Sequence, residues 1–213
     1  FFEENEMSER WLYFRNENGI EKVEVHFLDG SVSYRNYTNE TTEAGTTETI
    51  NIVDDEGDFE GDEIRRYDKE GSLVEEVVYD ENREIKSRNV YEYNEKGRIK
   101  TSTSYAEGGD FGWAFAYEYD NQGRTSKETR LNEAGQEVGK VFFEYDENGN
   151  RTSQRSVDHN GMEISFTFEY DDKGRTLKEE EIDANDEIIA SSKFTYNETV
   201  SYTHLTLPTS YPV

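Results

Sequence analysis

Carboxylates are the residues of this sequence with the most potential chemistry, and they recur in short turn-like segments. Asp146-Glu-Asn-Gly-Asn150 is one such segment, with several oxygen donors close together. A calcium loop of the EF-hand type needs oxygen ligands alternating over about 12 residues, between two helices. No segment of this chain has a helical period. The favoured interpretation is therefore a hairpin turn, and weak, diffuse binding of divalent cations is the alternative.

Catalytic constellations are not indicated. The chain contains 49 Asp and Glu residues, so a pair of carboxylates says little about a hydrolase site. His26 and His159 are the histidines outside the C-terminal segment, and neither has a metal-spaced neighbour or a nucleophile beside it. We therefore predict a protein that is not an enzyme, with no catalytic residue, no metal site and no cofactor.

One segment differs from the rest and suggests a ligand-binding surface. Glu107-Gly-Gly-Asp-Phe-Gly-Trp113 combines three glycines with two aromatic residues. Exposed rings on such a turn are typical of carbohydrate-binding surfaces, so Phe111 and Trp113 are the candidate ligand-binding residues. The alternative is an enlarged hairpin in which Trp113 continues the apolar face of Phe115 and Tyr117, as the alternation favours.

These segments belong to an internal repeat. A Tyr followed by Asp or Asn, with Gly three residues further on, recurs with its tyrosines 26, 26, 26 and 25 residues apart. An Asx residue that opens a turn bonds its own backbone, and the Gly accepts a positive φ, as in a hairpin loop with a bulge-type glycine. A second turn follows about 12 residues later, and the same period extends back to Gly45 and Gly19. The repeated turn residues are Tyr67 and Gly71, Tyr93 and Gly97, Tyr119 and Gly123, Tyr145 and Gly149, and Tyr170 and Gly174.

Between the turns, side chains alternate with a period of two. Ile164, Phe166 and Phe168 share one face, and the polar residues between them share the other. This period with aromatic and β-branched residues predicts strands. The predicted fold class is all-β: an antiparallel meander or repeat sheet, able to curve, of ~26-residue units with two strands and two turns. Residues 1–63 are degenerate repeats, and they form one continuous array with the regular repeats of 64–198.

Composition excludes several classes of function. The formal net charge of -26 leaves no basic face for ordinary nucleic-acid binding. The chain contains no Cys, which excludes disulfide frameworks and Cys-based zinc sites. No apolar run approaches the roughly 20 residues of a membrane-spanning helix.

The motif Tyr-x-Tyr-Asp-x-x-Gly-Arg, seen in Tyr117–Arg124, resembles the YD repeat of RHS-type proteins. Phe168–Arg175 and Tyr91–Arg98 match it almost as well, and the resemblance covers about 64–198. It implies a bacterial, secreted or cell-surface protein built of β-hairpin sheets that enclose a C-terminal toxin or mediate adhesion. It implies no catalytic residues. The period of 25 to 26 residues is longer than the usual unit of the family, and no cleavage signature or toxin domain is visible.

The two ends of the sequence differ from its repeats. The chain begins at Phe1 without an initiator Met, and 199–213 lack any charged residue but hold both prolines. This tail resembles a translated sequencing adapter, so we expect it to be non-native and the natural chain to continue past Glu198 with another turn. A natural apolar C-terminal strand, or the start of a new domain, is the alternative.

Three functions agree with these patterns. The first is a non-enzymatic acidic β-repeat scaffold or surface-binding module, extracellular or at the cell surface. The second is a carbohydrate- or protein-binding module that uses the aromatic face. The third is an intracellular immunity or chaperone-like repeat that binds a basic partner through its acidic face.

Overall fold

The chain folds as an antiparallel β-meander, which confirms the predicted fold class. The computed structural model describes residues 9–17 and 19–196. It has a 15-stranded sheet in which the spatial order of the strands is their order in the sequence. The predictions made for Phe1 and for the tail at 199–213 lie outside the described residues.

The strands are six to eleven residues long, close to the length expected from the turn spacing. Their bounds are β1 Glu9–Asn16, β2 Gly19–Phe27, β3 Val32–Thr42, β4 Gly45–Val53, β5 Phe59–Asp68, β6 Leu73–Tyr79, β7 Ile85–Tyr93, β8 Ile99–Tyr105, β9 Phe111–Tyr119, β10 Thr125–Leu131, β11 Glu137–Tyr145, β12 Arg151–Asp158, β13 Glu163–Tyr170, β14 Thr176–Ile182 and β15 Ile188–Lys193. A single turn of 3₁₀-helix, Glu107–Gly109, lies between β8 and β9.

The chain divides into two compact units, one ending at Trp113 and the other beginning at Ala114. In the first unit the buried apolar side chains are Val23, Val25, Ile50 and Val77. In the second, Ala114 is the buried apolar residue among those described. Most other strand side chains of the described residues are half-buried, and neighbours on the same sheet face contribute to covering them.

The repeated turns have the geometry that the sequence predicts. In the turn at Asp120, the Asp120 N–H donates to the carbonyl of Arg124 at 2.9 Å, and the Gly123 N–H donates to the carbonyl of Asp120 at 3.1 Å. The Asp120 carboxylate accepts the N–H groups of Gln122 and Arg124, both at 2.9 Å. Gly123 has φ 91°, so the left-handed position falls on the residue that tolerates it.

The other repeated glycines of 64–198 follow the same rule, with φ values between 72° and 90° at Gly71, Gly97, Gly149 and Gly174. Each repeat also has a second turn, and in two of these a residue other than glycine has the left-handed conformation: Arg83 at φ 64° and Asp186 at φ 62°. In both, a neighbouring Asp still supplies the turn-opening carboxylate. The chain therefore keeps the loop geometry where glycine is replaced, at a cost in backbone strain.

The extension of this turn to Gly45 and Gly19 is wrong. Gly45 is the first residue of β4 and pairs with Thr42 across a two-residue turn, Glu43-Ala44. Gly19 similarly begins β2 and pairs with Asn16. The physical reason differs between the two positions. Thr42, which is not an Asx residue, stands three residues before Gly45. Asn16 stands three residues before Gly19, but it pairs with Gly19 in the ladder instead of opening the longer loop.

Candidate binding surface

The repeated tyrosines join consecutive repeats. The Tyr145 hydroxyl donates to the carbonyl of Thr125 at 2.9 Å, and the Tyr93 hydroxyl donates to the carbonyl of Leu73 at 2.7 Å. Tyr170 makes the same bond to Arg151 at 2.8 Å. Each accepting carbonyl begins the strand after the previous first turn. These tyrosines therefore have a structural role, and partial burial raises the pKa of Tyr93 and Tyr170 above the usual range of the phenol.

Tyr67 and Tyr119 occupy the same place in their repeats. Tyr119 is half-buried at the end of β9. Tyr67 is half-buried near the end of β5, and burial is the main cause of its raised pKa. All five motif tyrosines thus lie at strand ends beside a turn.

The Arg that closes the motif binds its own turn and the next tyrosine. Arg124 Nε donates to the Asp120 carboxylate at 2.7 Å, and its guanidinium carbon lies 4.6 Å from the centre of the Tyr145 ring. Arg124 Nη1 also donates to the carbonyl of Asp146 at 3.0 Å. Arg175 repeats this arrangement with Asp171 and with the Tyr196 ring, at 4.5 Å.

Arg124 and Arg175 therefore bind the carboxylate of their own turn and not the glutamate on the neighbouring strand. Glu118 instead pairs with Lys127 at 3.0 Å, and Glu169 pairs with Lys178 at 3.4 Å. The register bulge after each turn separates the Arg from the glutamate, and the turn carboxylate is closer.

In the fourth repeat, too, the Arg after the turn lies away from the glutamate on the neighbouring strand. Asn150 takes the Arg position and binds Asp146, while Arg151 lies over the rings of Phe143 and Phe168 rather than beside Glu144.

Phe111 and Trp113 lie on one side of β9, two residues apart. The Phe111 ring packs edge-on against Tyr105, with centroids 6.3 Å apart and an interplanar angle of 86°. Trp113 is 39% exposed. Gly108 and Gly109, at φ 71° and 87°, form the one-turn 3₁₀ segment that precedes the strand. Phe111 is thus partly used for packing, and Trp113 is the more accessible ring of the two.

The second unit has one face rich in aromatic side chains, called here the aromatic face. Strand pairing places rows from β9, β11 and β13 on this face, with polar rows from β10, β12 and β14 between them. Its members include Phe115, Tyr117, Val141, Phe143, Ile164, Phe166 and Phe168, and between them Glu128, Arg130, Gln154, Ser156, Glu179 and Glu181. Aromatic and acidic side chains therefore stand directly opposite one another across neighbouring strands.

A shallow depression of about 230 Å³ opens on the aromatic face where Gly139 has no side chain. Gly139 pairs with Arg130 on one side and with Asp158 on the other, and Phe115 and Glu128 also line the depression. Neighbouring repeats have Trp113 and Ile164 at this position, 26 residues before and 25 after. Alignment of the repeats could have revealed this gap from the sequence.

Glu128 lies in that depression without a cationic partner. Its carboxylate makes no ion pair or hydrogen bond to any part of the chain that the structure describes, and burial raises its pKa. Arg130, two residues along the same face, is likewise unpaired within residues 9–17 and 19–196.

The first unit gathers three carboxylates around one guanidinium. Arg65 contacts Glu48 at 3.3 Å, Glu76 at 3.2 Å and also Glu63. Burial, followed by a hydrogen bond with Glu76, raises the pKa of Glu63 against the opposing charge of Arg65. Because Arg65 already binds three carboxylates of the same chain, this cluster offers no open position for a ligand.

Comparison with known proteins gives little further information. No family model and no curated protein matches this sequence. A similar solved structure is a porin-like protein from Bacteroides uniformis ATCC 8492, with 12% identity and a TM-score of 0.36. The match covers 88% of this chain and 97% of that chain. Identity and TM-score at this level carry no argument about family or function.

Within residues 9–17 and 19–196, no group of three or more His, Asp or Glu side chains is arranged to hold a metal ion. The same residues contain no helix long and apolar enough to cross a membrane. What the second unit presents is a row of rings, unpaired carboxylates and a shallow depression.

Proposed function

We propose that this chain is a non-enzymatic, acidic β-repeat scaffold that acts as the surface-binding module of an exported bacterial protein of the YD-repeat type. Its regular motif residues hold repeats together, and the side chains between them form the surfaces that meet a partner.

The observation that carries this proposal is the contact between consecutive repeats. Arg124 of one turn lies against Tyr145 of the next, whose hydroxyl binds the strand that follows Arg124. A motif used in this way extends an array by nearest-neighbour contacts, as in other repeat proteins. The most regular residues are therefore committed to building the sheet, which supports a scaffold in preference to a catalyst.

The test of the exported role is the complete reading frame in the source genome. We expect an export signal upstream, and further repeats or a variable domain downstream. A complete frame for a protein without any export signal would contradict this proposal. Cell fractionation with an antibody against the repeats gives an independent measurement of the same point.

The second candidate function, carbohydrate or protein recognition, is favoured by the exposure of Trp113 beside the aromatic strands. An aromatic side chain that retains 39% of its surface can stack on a sugar ring or an apolar side chain. If so, Trp113→Ala will abolish binding on a glycan or protein array while circular dichroism stays unchanged. Retained binding by this variant would remove Trp113 from the site.

A further inference from the structure

The two faces of the second unit differ in how their charges are paired. On the face opposite the aromatic face, Lys127 pairs with Glu118, Arg155 with Glu163, and Lys178 with both Glu169 and Glu180. We call this the paired face. Its carboxylates and cations largely satisfy one another, so it offers little unmatched charge to a partner.

On the aromatic face, the carboxylates of β14 have no such partners. Glu179 and Glu181 make no side-chain ion pair or hydrogen bond among the residues that the structure describes. Glu180, the residue between them, points to the paired face and binds Lys178 at 2.9 Å. One strand therefore presents matched charge on one side and unmatched negative charge on the other.

Each unmatched carboxylate lies beside an aromatic ring. In the ladder between β13 and β14, Phe168 is opposite Glu179 and Phe166 is opposite Glu181. Directly opposed residues have their Cβ atoms about 5 Å apart, so one cation can contact the ring and the carboxylate together. Arg151 already lies over Phe168, 5.1 Å from the ring centre, which indicates that these rings accept a guanidinium.

The spacing of these pairs also matches an extended chain. Glu179 and Glu181 are two residues apart on one strand, which is about 6.7 Å in β geometry. Alternate side chains of an extended peptide recur at the same interval. The formal charge of -26 would accelerate the approach of a basic partner, while a second copy of this acidic chain would be repelled.

We propose that Phe166, Phe168, Glu179 and Glu181 form a docking surface for an extended basic segment of a partner protein, with Lys or Arg at alternate positions. The inference rests on the surface-binding role proposed above and specifies the chemistry of the partner. The aliphatic part of each basic side chain lies against a Phe ring, and its charge meets the Glu opposite that ring.

Peptide binding to the complete chain tests this surface. The probe is the fluorescently labelled, amidated hexapeptide Lys-Ser-Lys-Ser-Lys-Ser, measured by anisotropy at physiological ionic strength, where diffuse attraction is screened. Glu179→Gln/Glu181→Gln is expected to weaken binding about tenfold, the effect of two exposed ion pairs of ordinary strength. Phe166→Leu, which keeps an apolar side chain but removes the ring, is expected to weaken it about threefold.

The matched control is Glu163→Gln/Glu180→Gln, which removes the same charge from the paired face of β13 and β14. We expect it to change the Kd less than about twofold. Equal weakening by both double variants would overturn the proposal, because diffuse attraction to the net charge would then explain binding. Failure of the unmodified chain to bind the peptide would also overturn the proposal. The scaffold role is tested separately, by the complete reading frame and by cell fractionation.

Discussion

Gly45→Ala should destabilise the first unit because β4 and β5 approach closely at this residue. A Cβ at position 45 would lie 2.0 Å from the carbonyl oxygen of Tyr67 and 2.8 Å from the carbonyl carbon of Asp68. Real Cβ atoms are essentially never within 3.0 Å of such atoms. Since the obstacle is backbone, β5 has to retreat by about 1 Å, with no side-chain rotation available to relieve the clash.

The magnitude follows from what that retreat disturbs. It separates the pairs Gly45–Asp68 and Thr46–Tyr67 at the end of the ladder, where each hydrogen bond is worth ~0.5–1.5 kcal/mol. Alanine at φ 140° adds strain of about 1–3 kcal/mol. We therefore expect a loss of about 3 kcal/mol in the free energy of unfolding of the first unit.

Tryptophan fluorescence during urea unfolding measures this loss, because Trp11 and Trp113 both lie in the first unit. The control is Gly30→Ala, where φ is 90° and a Cβ would meet nothing within 4 Å. Only strain of about 1 kcal/mol is expected there. If Gly45→Ala and Gly30→Ala unfold at the same urea concentration, the close approach to Tyr67 does not exist in solution and the reasoning fails.

Three further measurements probe the repeat itself. Tyr145→Phe removes the 2.9 Å hydroxyl bond to the preceding repeat and should cost about 1 kcal/mol in urea unfolding. Tyr13→Phe, at a hydroxyl unpaired among the described residues, should cost nothing measurable. Asp186→Gly should raise the urea midpoint of unfolding, because glycine removes the strain of the left-handed conformation at φ 62°. An unchanged or lower midpoint would show that Asp186 is not strained. Backbone N–H donors lower the pKa of Asp171 and Asp183, so these carboxylates stabilise the fold above the unfolded-state pKa near 4. That stability is lost as pH falls through the lowered values, and a loss centred between about pH 5 and 7 in circular dichroism would contradict this assignment.

The turns and strands of 64–198 follow from local chemistry, which is why the sequence predicts them well. Asp120 and Gly123 form their loop with groups no more than four residues apart. The period of two between turns then determines which side chains share a face, as the ladder from Phe166 to Glu181 confirms. Glycine alone was insufficient at Gly45, where the turn-opening Asx residue is missing and a tighter turn forms.

The contacts between repeats could not be read in the same way. Arg124 reaches Tyr145 across 21 residues, and a bulge after the turn decides which residues it meets. Alternation assigns a residue to a face but does not choose between the neighbours available on that face. The difference in charge pairing between the two faces also depends on the exact register of the strands. The surface around Glu179 and Glu181 can therefore be recognised only when the pairing of β13 with β14 is known.

The Arg–Tyr contact explains why the motif carries Arg after Gly, and a repeat that has Asn in place of this Arg provides a test. Asn150 stands where Arg124 and Arg175 stand in their repeats, and its amide binds Asp146 at 2.8 Å. The next tyrosine, Tyr170, therefore binds the preceding repeat through its hydroxyl without a guanidinium from position 150. This junction should be weaker than the one between Arg124 and Tyr145.

Asn150→Arg should strengthen that junction. By the geometry of Arg124, the new Nε would bind Asp146, and the guanidinium would lie over Tyr170, a contact worth about 0.5–1 kcal/mol at an exposed site. Hydrogen exchange of the amides in β12 and β13 should slow several-fold, because the added contact opposes local opening at this junction. Asn148→Arg adds the same charge at an exposed position of the same turn and controls for relief of general acidic repulsion. If both variants slow exchange equally, net charge explains the effect and the Arg–Tyr contact is not what couples one repeat to the next.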